Sequence, residues 1–416
     1  ILFKKRGWKI IIMINITVGD IEKVTEGKLI YGERDIICEN FCRDSREIEP
    51  GDTYIGIKGE RVDGNTFYEE ALKKGATCLI LENVNIPDEV LKKYSHFAII
   101  IVENTIEALQ KIANYKRNLY KIPVIAITGS VGKTSTKDIV AEVVSEKYKV
   151  LKTQGNLNNH IGLPLTILNL RDHEAMVVEL GMSHLGEIST IAKIAKPTIA
   201  IITNVGTAHI GNLGSRENIL KAKMEILDGL QEGGTLIINN DNDLLHKWNL
   251  EHRENINVIT YGIQNESDVM AYNIAQDEDG SNYNTKIQDR EYNVKVKIGG
   301  EHFVYNSLCA IAVGLKLGIT MEKILEGILN FKLTEKRMEI STNKKGILII
   351  NDCYNANYDS MKAAIEYLGK LSNKRKIAVL GDMLELGSYS KELHEKVGEV
   401  AYERKTWKAE TRTVII

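Results

Sequence analysis

The sequence has few cysteines, almost no net charge and no long apolar run, and each shortage excludes a class of protein. Five cysteines in 416 residues cannot form a disulfide framework, which favours a reducing compartment, the cytoplasm. A net charge of −2 lacks the positive field of a non-specific nucleic-acid binder, so no nucleic-acid partner is expected. No apolar run approaches the roughly 18 residues of a membrane helix, so no membrane insertion is expected. The remaining composition, 43% hydrophobic, is that of a globular chain of about three domains.

The two ends of the chain differ from the segments beside them. A basic cluster and a short apolar stretch fill residues 1–12, but no small-residue cleavage site follows, which disfavours a signal peptide. We therefore expect residues 1–12 to be an extra N-terminal segment. The last stretch, from Tyr402 onward, is charged and has no apolar period.

Hydrophobic periodicity predicts an α/β protein. Residues 13–118 alternate short β-rich pieces with turns, and Thr105–Tyr120 has helical spacing. From Val124 onward, short apolar runs alternate with helical stretches, which predicts a mainly parallel, doubly wound sheet. Between Ile256 and Ile298 the pattern becomes polar and alternating, which predicts an antiparallel hairpin at the sheet edge. The apolar runs read VIAIT, AMVVEL, TIAIIT, TLIIN, ILIIN and KIAVL.

The strongest local signal is a glycine-rich loop, T-G-S-V-G-K-T-S, between an apolar strand and a helix expected from Thr134 to about Ser145. In that context backbone N–H groups and the helix N-terminus bind phosphate. Lys133 would pair with the β- and γ-phosphates, and Thr134 would offer its hydroxyl to Mg²⁺. A chance glycine-rich turn is the alternative. The predicted nucleotide-binding residues of the loop are Gly129, Ser130, Val131, Gly132, Lys133, Thr134 and Ser135.

This loop departs from the strict consensus, because Ile127 stands where glycine is usual. A GTPase would also need an Asn-Lys-x-Asp motif, and the chain has none. The choice of NTPase is therefore narrowed to enzymes with a variant phosphate loop, and a GTPase is disfavoured.

Three further residues are candidates for phosphate chemistry. Glu179 ends an apolar strand, where α/β sheets place their ligands, and a carboxylate there suits Mg²⁺. His209 follows the strand TIAIIT and is a candidate ligand or phosphate contact, although a lone loop histidine is more often structural. Lys223 lies on an expected helix, and by composition alone it would be a surface lysine.

The variant loop and the segments that follow it resemble the Mur ligase family, ATP-dependent amide ligases of the bacterial cell wall. The matching segments, in family order, are G-N-L-N-N-H-I-G-L-P-L-T-I-L, V-V-E-L-G-M-S and T-N-V-G-T-A-H. The resemblance implies ATP and about two Mg²⁺ ions as cofactors. It also implies a metal set of Thr134, Glu179, His209 and Lys223, with Lys223 carbamylated. Lys221, two residues earlier, leaves the register of that lysine open.

The resemblance extends to the second half of the chain. It implies that Asn306 lies near the adenine, that Arg337 reaches the γ-phosphate, and that Asp352 accepts from a ribose hydroxyl. The implied catalytic residues are Lys133, Glu179, His209, Lys223 and Arg337. The segment N-D-C-Y-N-A-N-Y-D-S-M resembles the branch of the family that adds D-alanyl-D-alanine. The implied substrate-binding residues are Asn355 and Asn357 there, and Asp44, Ser45 and Arg46 in a front-domain block similar to that of uridine-diphosphate-binding members.

These matches imply the architecture and activity of the whole chain. The fold expected is three domains: a substrate-binding domain at 13–118, a central ATP-binding domain at 119–332, and a Rossmann-like, apparently truncated domain at 333–416. The activity expected is ATP-driven ligation of D-alanyl-D-alanine to UDP-N-acetylmuramoyl-tripeptide through an acyl phosphate, by a monomer.

Two alternatives stay open at this point. One is another amide ligase of the superfamily, such as folylpolyglutamate synthase. The other is an inactive nucleotide-binding remnant, because the last domain is short and lacks the Lys-Gly-Ser element of the family.

Overall fold

The computed structural model describes residues 2–6, 9–13, 15–252, 254, 256–277, 280–334, 336–371, 375–403 and 414–415. The chain forms two compact units. The first comprises Ile1–Ile122, Asn156–Glu174 and Lys193–Lys196. The second comprises Pro123–Gly155, Ala175–Ala192 and Pro197–Ile416. No helix in the described ranges has the length and apolar character of a membrane span.

The first unit is built on a small mixed sheet. Its strands are β1 (Leu2–Arg6), β2 (Lys9–Met13), β3 (Ile16–Thr17), β4 (Lys28–Tyr31), β5 (Ile37–Cys38), β6 (Phe41–Cys42), β7 (Thr53–Ile55), β8 (Cys78–Glu82) and β9 (Ala98–Val102). Its N-terminal helices are α1 (Val18–Thr25), α2 (Tyr68–Lys73), α3 (Asp88–Lys93) and α4 (Thr105–Asn118), with a 3₁₀ turn at Gly64–Phe67. The main sheet has the order β4-β9-β8-β7-β6, and two short pairs, β1-β2 and β3-β5, stand beside it.

Local sequence explains where the helices of this unit begin. Thr17 and Asp20 form a capping box at α1, each side chain accepting from the other residue's backbone N–H. Asn104 accepts from two backbone N–H groups at the start of α4. Leu109, Ile112 and Ala113 of the apolar face of α4 are buried, and the helix ends at Asn118 with Leu119 as its C-cap, two residues before the predicted Tyr120.

The second unit contains the predicted doubly wound sheet. Its strands are β10 (Val124–Thr128), β11 (Val150–Lys152), β12 (Ala175–Glu179), β13 (Ile199–Ile202), β14 (Thr235–Asn239), β15 (Asn257–Gly262), β16 (Val269–Asp277), β17 (Gly280–Ile287) and β18 (Arg290–Val296). The helices that follow along the chain are α5 (Lys133–Ser145), α6 (Gly162–Leu168), α7 (Glu187–Ala195), α8 (Ile210–Leu213), α9 (Arg216–Met224), α10 (Asp243–His252), α11 (Glu301–Lys316) and α12 (Met321–Asn330). All of them belong to the second unit except α6 and the last three residues of α7, which belong to the first. A 3₁₀ turn occupies Glu225–Gly229.

The strand order of this sheet is β11-β12-β10-β13-β14-β15-β16-β17-β18. Pairing is parallel from β11 to β16 and antiparallel from β16 to β18, so the predicted hairpin edge is confirmed. The register places Ile127 of β10 opposite Glu179 of β12 and opposite Ile201 of β13. The carboxyl ends of these three central strands therefore meet at one edge, where α/β sheets bind ligands.

The core of the second unit lies between this sheet and helices α5, α11 and α12. Ile125, Val143, Leu308 and Ile328 are among the fully buried side chains that join the layers. Each such side chain contributes about 1.5–3 kcal/mol relative to an exposed one. The phosphate loop thus lies between a rigid strand and a helix packed on two others.

A second, four-stranded sheet completes this unit. Its strands are β19 (Glu339–Thr342), β20 (Leu348–Asn351), β21 (Ile377–Ala378) and β22 (Val414–Ile415), in the order β19-β20-β22-β21. The helices beside it are α13 (Tyr358–Lys370) and α14 (Ser390–Glu403), with a 3₁₀ turn at Gly387–Tyr389. The run KIAVL forms a shorter strand than its apolar length suggests.

Candidate active site

The phosphate loop has the geometry that its glycines predict. Gly129 packs so closely on β13 that an added Cβ would lie 1.9 Å from Oγ1 of Thr203, so no side chain fits there. Gly132 has a φ of 82° and forms the N-cap of α5. Helix α5 begins at Lys133, one residue before the prediction. Its first turn therefore presents free backbone N–H groups where phosphate would bind.

Two residues after β13 fix the loop, and sequence reasoning assigned them no role. The side-chain oxygen of Asn204 accepts from the N–H groups of Ser130 (3.1 Å) and Val131 (3.0 Å). The amide nitrogen of Asn204 and the hydroxyl of Thr203 both donate to the carbonyl of Val131. Both belong to the T-N-V-G-T-A-H segment, in which only His209 was a candidate. Their position directly after a central parallel strand was the available signal.

Thr134 of the phosphate loop and Glu179 at the end of β12 are in direct contact. Oγ1 of Thr134 donates to Oε2 of Glu179 across 2.9 Å, and both side chains are buried. Thr153 holds the end of β12, because its hydroxyl accepts from the N–H of Glu179 at 3.0 Å. A carboxylate and a hydroxyl oxygen side by side are donors that Mg²⁺ prefers.

Two buried lysines add positive charge beside the phosphate loop. Lys133 donates to the carbonyl of Gly129 at 2.8 Å, and burial lowers the pKa of Lys133 although Glu179 opposes the shift. Lys223 is only 1% exposed, so its composition-based reading as a surface lysine is wrong. Burial, reinforced by the charge of Lys133, lowers the pKa of Lys223 well below its ordinary value. Lys221 is exposed, so the register that the sequence left open favours Lys223.

His209 lies at this edge in a strained conformation. Its φ is 64°, in the left-handed region, and its Nδ1 contacts the carboxylate of Glu385. Burial lowers the pKa of His209, and the carboxylate of Glu385 opposes that shift. The positive charges of Lys133 and Lys223 lower the pKa of His209 further, so both lysines lie close enough to disfavour its protonated form. Glu385 lies in the run V-L-G-D-M-L-E-L-G and is a further residue that the site analysis from sequence did not name.

Asn306 lines the cleft next to the phosphate loop, where an added Cβ on Gly132 would lie 3.4 Å from its Oδ1. Its side-chain oxygen accepts from Oγ1 of Thr136 at 2.9 Å. Its Nδ2 is buried and has no hydrogen-bond partner within the described residues, so its two N–H groups are available to a ligand. Aromatic side chains also line the cleft, and they suit a flat heterocycle. These aromatic residues are Tyr261, His302, Phe303 and Tyr305.

Arg337 and Asp352 close the cleft from the C-terminal part of the same unit. The Arg337 guanidinium lies 4.1 Å from the ring centroid of Tyr354, and its positive charge lowers the pKa of Lys133. Its Nε is buried without a partner in the part of the chain that is described. Burial raises the pKa of Asp352, whose Oδ1 accepts from the N–H of Met338 at 3.1 Å. The cleft thus joins the phosphate loop, Asn306, Arg337 and Asp352.

Asn355 and Asn357 also line this cleft. Asn357 is the N-cap of α13, and its side chain accepts from the N–H of Ser360 at 2.9 Å. The two asparagines therefore lie next to the nucleotide-binding residues.

The three predicted residues of the first unit are engaged with one another and their neighbours. Arg46 donates to both carboxylate oxygens of Asp44, at 2.8 and 2.6 Å, which lowers the pKa of Asp44 to about 2. Ser45 donates to Oε2 of Glu70 at 2.8 Å. The Arg46 side chain is 82% exposed, so it is accessible to an anionic ligand.

Models of three protein families match the chain over most of its length. The Mur ligase family, catalytic domain, matches residues 41–117. The Mur ligase middle domain matches residues 127–314, and the glutamate ligase domain matches residues 336–407.

Whole proteins of known name are similar as well. UDP-N-acetylmuramoyl-tripeptide–D-alanyl-D-alanine ligase of Bacillus subtilis (strain 168) is 38% identical over 392 residues, which cover 93% of this chain and 83% of the relative. The crystal structure of MurF from Acinetobacter baumannii has a TM-score of 0.85 at 30% identity, and the match covers 97% of this chain and 90% of that one. MurF from Thermotoga maritima in complex with ADP has a TM-score of 0.79 at 31% identity, with 92% and 90% covered.

Proposed function

Because the chain belongs to the family of UDP-N-acetylmuramoyl-tripeptide–D-alanyl-D-alanine ligases, we propose that it uses ATP to join D-alanyl-D-alanine to UDP-N-acetylmuramoyl-tripeptide. The observation that carries the proposal is that Lys133 and Arg337 line one cleft with the phosphate loop, and that Glu179 accepts from Thr134 of that loop. The relative from Thermotoga maritima was crystallised with ADP, which supports ATP as the nucleotide.

The chemistry begins with the γ-phosphate. The terminal carboxylate of the tripeptide attacks the γ-phosphorus, and ADP leaves. Lys133, the N-terminal amides of α5 and Arg337 offset the negative charge that spreads over the phosphate oxygens in this step. Arginine suits the role because its planar fork binds two phosphate oxygens together.

The second step forms the amide. The free amine of D-alanyl-D-alanine attacks the carbonyl carbon of the acyl phosphate, inorganic phosphate leaves with the electron pair of the C–O bond, and the proton lost by the nitrogen goes to the departing phosphate or to water. Acyl phosphates hydrolyse, so the site must hold the amine close and exclude water. Asn355 and Asn357 line the cleft beside the phosphate loop and are proposed to position a substrate there.

The donor set near the phosphate loop fits Mg²⁺. Thr134 and Glu179 would hold the ion, with His209 and Lys223 as the further proposed ligands. When bound, Mg²⁺ would neutralise phosphate charge and orient the γ-phosphate. Across the described residues no three His, Cys, Asp or Glu side chains cluster, and Mg²⁺ commonly takes only one or two carboxylates and binds phosphates and water besides.

Lys223 suits carbamylation, because a neutral amine is the form that reacts with carbon dioxide. Burial beside Lys133 favours that neutral form. The carbamate would turn a cationic side chain into an anionic oxygen donor, and it would relieve the repulsion between the two lysines.

Asp44, Ser45 and Arg46 are proposed to bind the uridine diphosphate portion of the substrate. Asn306 and Asp352 are proposed to bind the adenine and ribose of ATP. All five cysteines are free thiols, which supports action in the reducing cytoplasm. We also propose that the active form is a monomer, which sedimentation of the purified chain would check.

An assay with three substrates tests this function. The purified chain is incubated with Mg²⁺, ATP, the UDP-tripeptide and D-alanyl-D-alanine, and both the amide product and released phosphate are measured. We expect one phosphate for each amide, and neither product when one substrate is left out. Phosphate release that is indifferent to D-alanyl-D-alanine would refute the proposal.

A further inference from the structure

The segment from Gly206 to His209 makes hydrogen bonds to two different elements, and one of its partners, Asp359, has not been assigned a role so far. On one side, the N–H of Gly206 donates to Oγ of Ser130 in the phosphate loop at 2.9 Å. On the other, Oδ2 of Asp359 accepts from the N–H of Thr207 at 2.7 Å and from its hydroxyl at 2.9 Å. Asp359 belongs to the first turn of α13. The segment that carries His209 is therefore attached to both the phosphate loop and α13.

The absence of a side chain at position 206 is what allows this approach. An ideal Cβ on Gly206 would lie 2.3 Å from Oδ2 of Asp359 and 2.8 Å from its Cγ. Any larger residue would push the carboxylate away from Thr207. Gly206 and Asp359 are thus matched to each other in shape.

Arg216 of α9 holds the preceding residue and adds to the same arrangement. It donates to the carbonyl of Val205 at 2.7 Å. The hydrogen bond from Arg216 to Asp243 is the largest cause of its raised pKa, and the negative charge of Asp359 raises that pKa further. Asp359 therefore lies near the Arg216 cation as well as bonding Thr207. The phosphate loop, α9 and α13 therefore all hold the few residues between β13 and α8, as do Asn242, which donates to the carbonyl of Val205, and Glu385, which contacts His209.

We propose that Asp359 is a positioning residue for phosphoryl transfer. By accepting two hydrogen bonds from Thr207, Asp359 maintains the hydrogen bond between Gly206 and Ser130 and fixes the backbone conformation of the segment that carries His209. A carboxylate on a helix suits this task, because helix positions move less than loop positions. The proposal rests on the ligase function proposed above.

The chain offers a control bond between the C-terminal part of the second unit and the region after β13. The hydroxyl of Tyr389 donates to the carbonyl of Gly214 at 2.7 Å, so it also links the C-terminal part to the region after β13. Tyr389 neither lines the cleft nor contacts the phosphate loop. Loss of that hydroxyl removes one bond between the same parts and leaves Thr207 untouched.

The first experiment compares Asp359→Ala, Asp359→Asn and Tyr389→Phe in the ligation assay. We expect Asp359→Ala to lower kcat about 10- to 100-fold, because small misplacements near a reacting centre are that costly. The KM for ATP should change less than about threefold, since ground-state binding is kept. Asp359→Asn should recover most of the rate, because its amide oxygen can still accept from Thr207. Tyr389→Phe should match the parent enzyme.

Three results would overturn the proposal. They are equal loss in the Asn and Ala variants, a change confined to KM, or a loss as large in Tyr389→Phe as in Asp359→Ala.

A second experiment needs no turnover and stays informative if Asp359→Ala folds poorly or if the ligase function is wrong. Gly206→Ala alone should lower the melting temperature, because the new methyl group collides with Asp359. The same change in an Asp359→Ala background should cost clearly less, since the collision is removed. Additive effects in this cycle would refute the contact. An inactive parent enzyme with a strong coupling would instead count against the ligase function alone.

Discussion

Lys221 and Lys223 lie two residues apart on α9, and burial alone separates their expected roles. Lys223 is 1% exposed and its pKa is lowered well below the ordinary value, whereas Lys221 is exposed. Burying an amine beside the charge of Lys133 costs free energy, so a lysine at position 223 is expected to serve a function or to have a compensating contact.

These two lysines form a matched pair for mutation. We expect Lys223→Ala to lower kcat about 100-fold or more, because it removes a proposed ligand beside the transferred phosphate. Lys221→Ala should leave kcat unchanged. The ligation assay on both variants checks the assignment, and the reverse pattern would move the role to Lys221.

Lys116 provides the pH test at this scale. It is 2% exposed and donates to the carbonyl of Leu168 at 2.8 Å, and burial lowers its pKa to about 7. In the unfolded chain its pKa is about 10.4. Unfolding therefore takes up a proton between these values, so stability rises with pH from about 7 to about 10, by up to roughly 4 kcal/mol.

Lys116→Met should remove most of this dependence. Melting of the first unit, followed by calorimetry at pH 7 and pH 9.5, should show a smaller pH difference in the variant than in the parent. An unchanged difference would mean that another group titrates in this window.

At the scale of elements, two helical glycines show how packing overrides propensity. Gly398 lies on α14, and an added Cβ would meet nothing within 4 Å. Gly327 lies on α12, where a Cβ would lie 2.7 Å from Cα of Val143 on α5. Close contact between α12 and the phosphate-loop helix therefore requires glycine at 327.

Opposite signs are expected when each glycine becomes alanine. Gly398→Ala should stabilise the second unit by up to about 1 kcal/mol through helix propensity. Gly327→Ala should destabilise it by about 1–3 kcal/mol through overpacking. Urea unfolding followed by circular dichroism measures both, and a stabilising Gly327→Ala would show that α12 can shift away from α5.

On the scale of the whole molecule, the nucleotide cleft belongs entirely to the second unit. A ligand stabilises only what it binds, by about 2.7 kcal/mol at a hundred times its dissociation constant. Calorimetry should therefore resolve two melting transitions, one for each unit. Saturating ADP with Mg²⁺ should raise the melting temperature of the second unit only, and Arg337→Ala should make that increase smaller. Equal shifts of both transitions would show that the two units unfold together.

Sequence by itself determined the elements and the chemistry of this protein, because both depend on local order. Apolar runs and the glycine-rich loop specify β10, α5 and the parallel sheet, and the runs VIAIT, AMVVEL, TIAIIT and TLIIN formed neighbouring parallel strands of that sheet. The runs ILIIN and KIAVL instead formed strands of the second sheet, β20 and β21. The motif order also indicated the family, which the similar proteins confirm. The domain boundaries and the roles of individual site residues stay predictions.

Only the tertiary structure decided which residues surround that chemistry. Asn204, Glu385 and Asp359 contact the phosphate loop or the His209 segment from positions up to 176 residues away. Asn204 and Asp359 lie in segments that carry the family resemblance, but the sequence of those segments does not show which residues they contact. The burial of Lys223 and the empty space beside Gly398 likewise depend on neighbours brought in by folding. Periodicity records which face of an element is apolar, whereas the choice of partner depends on how separate elements pack together.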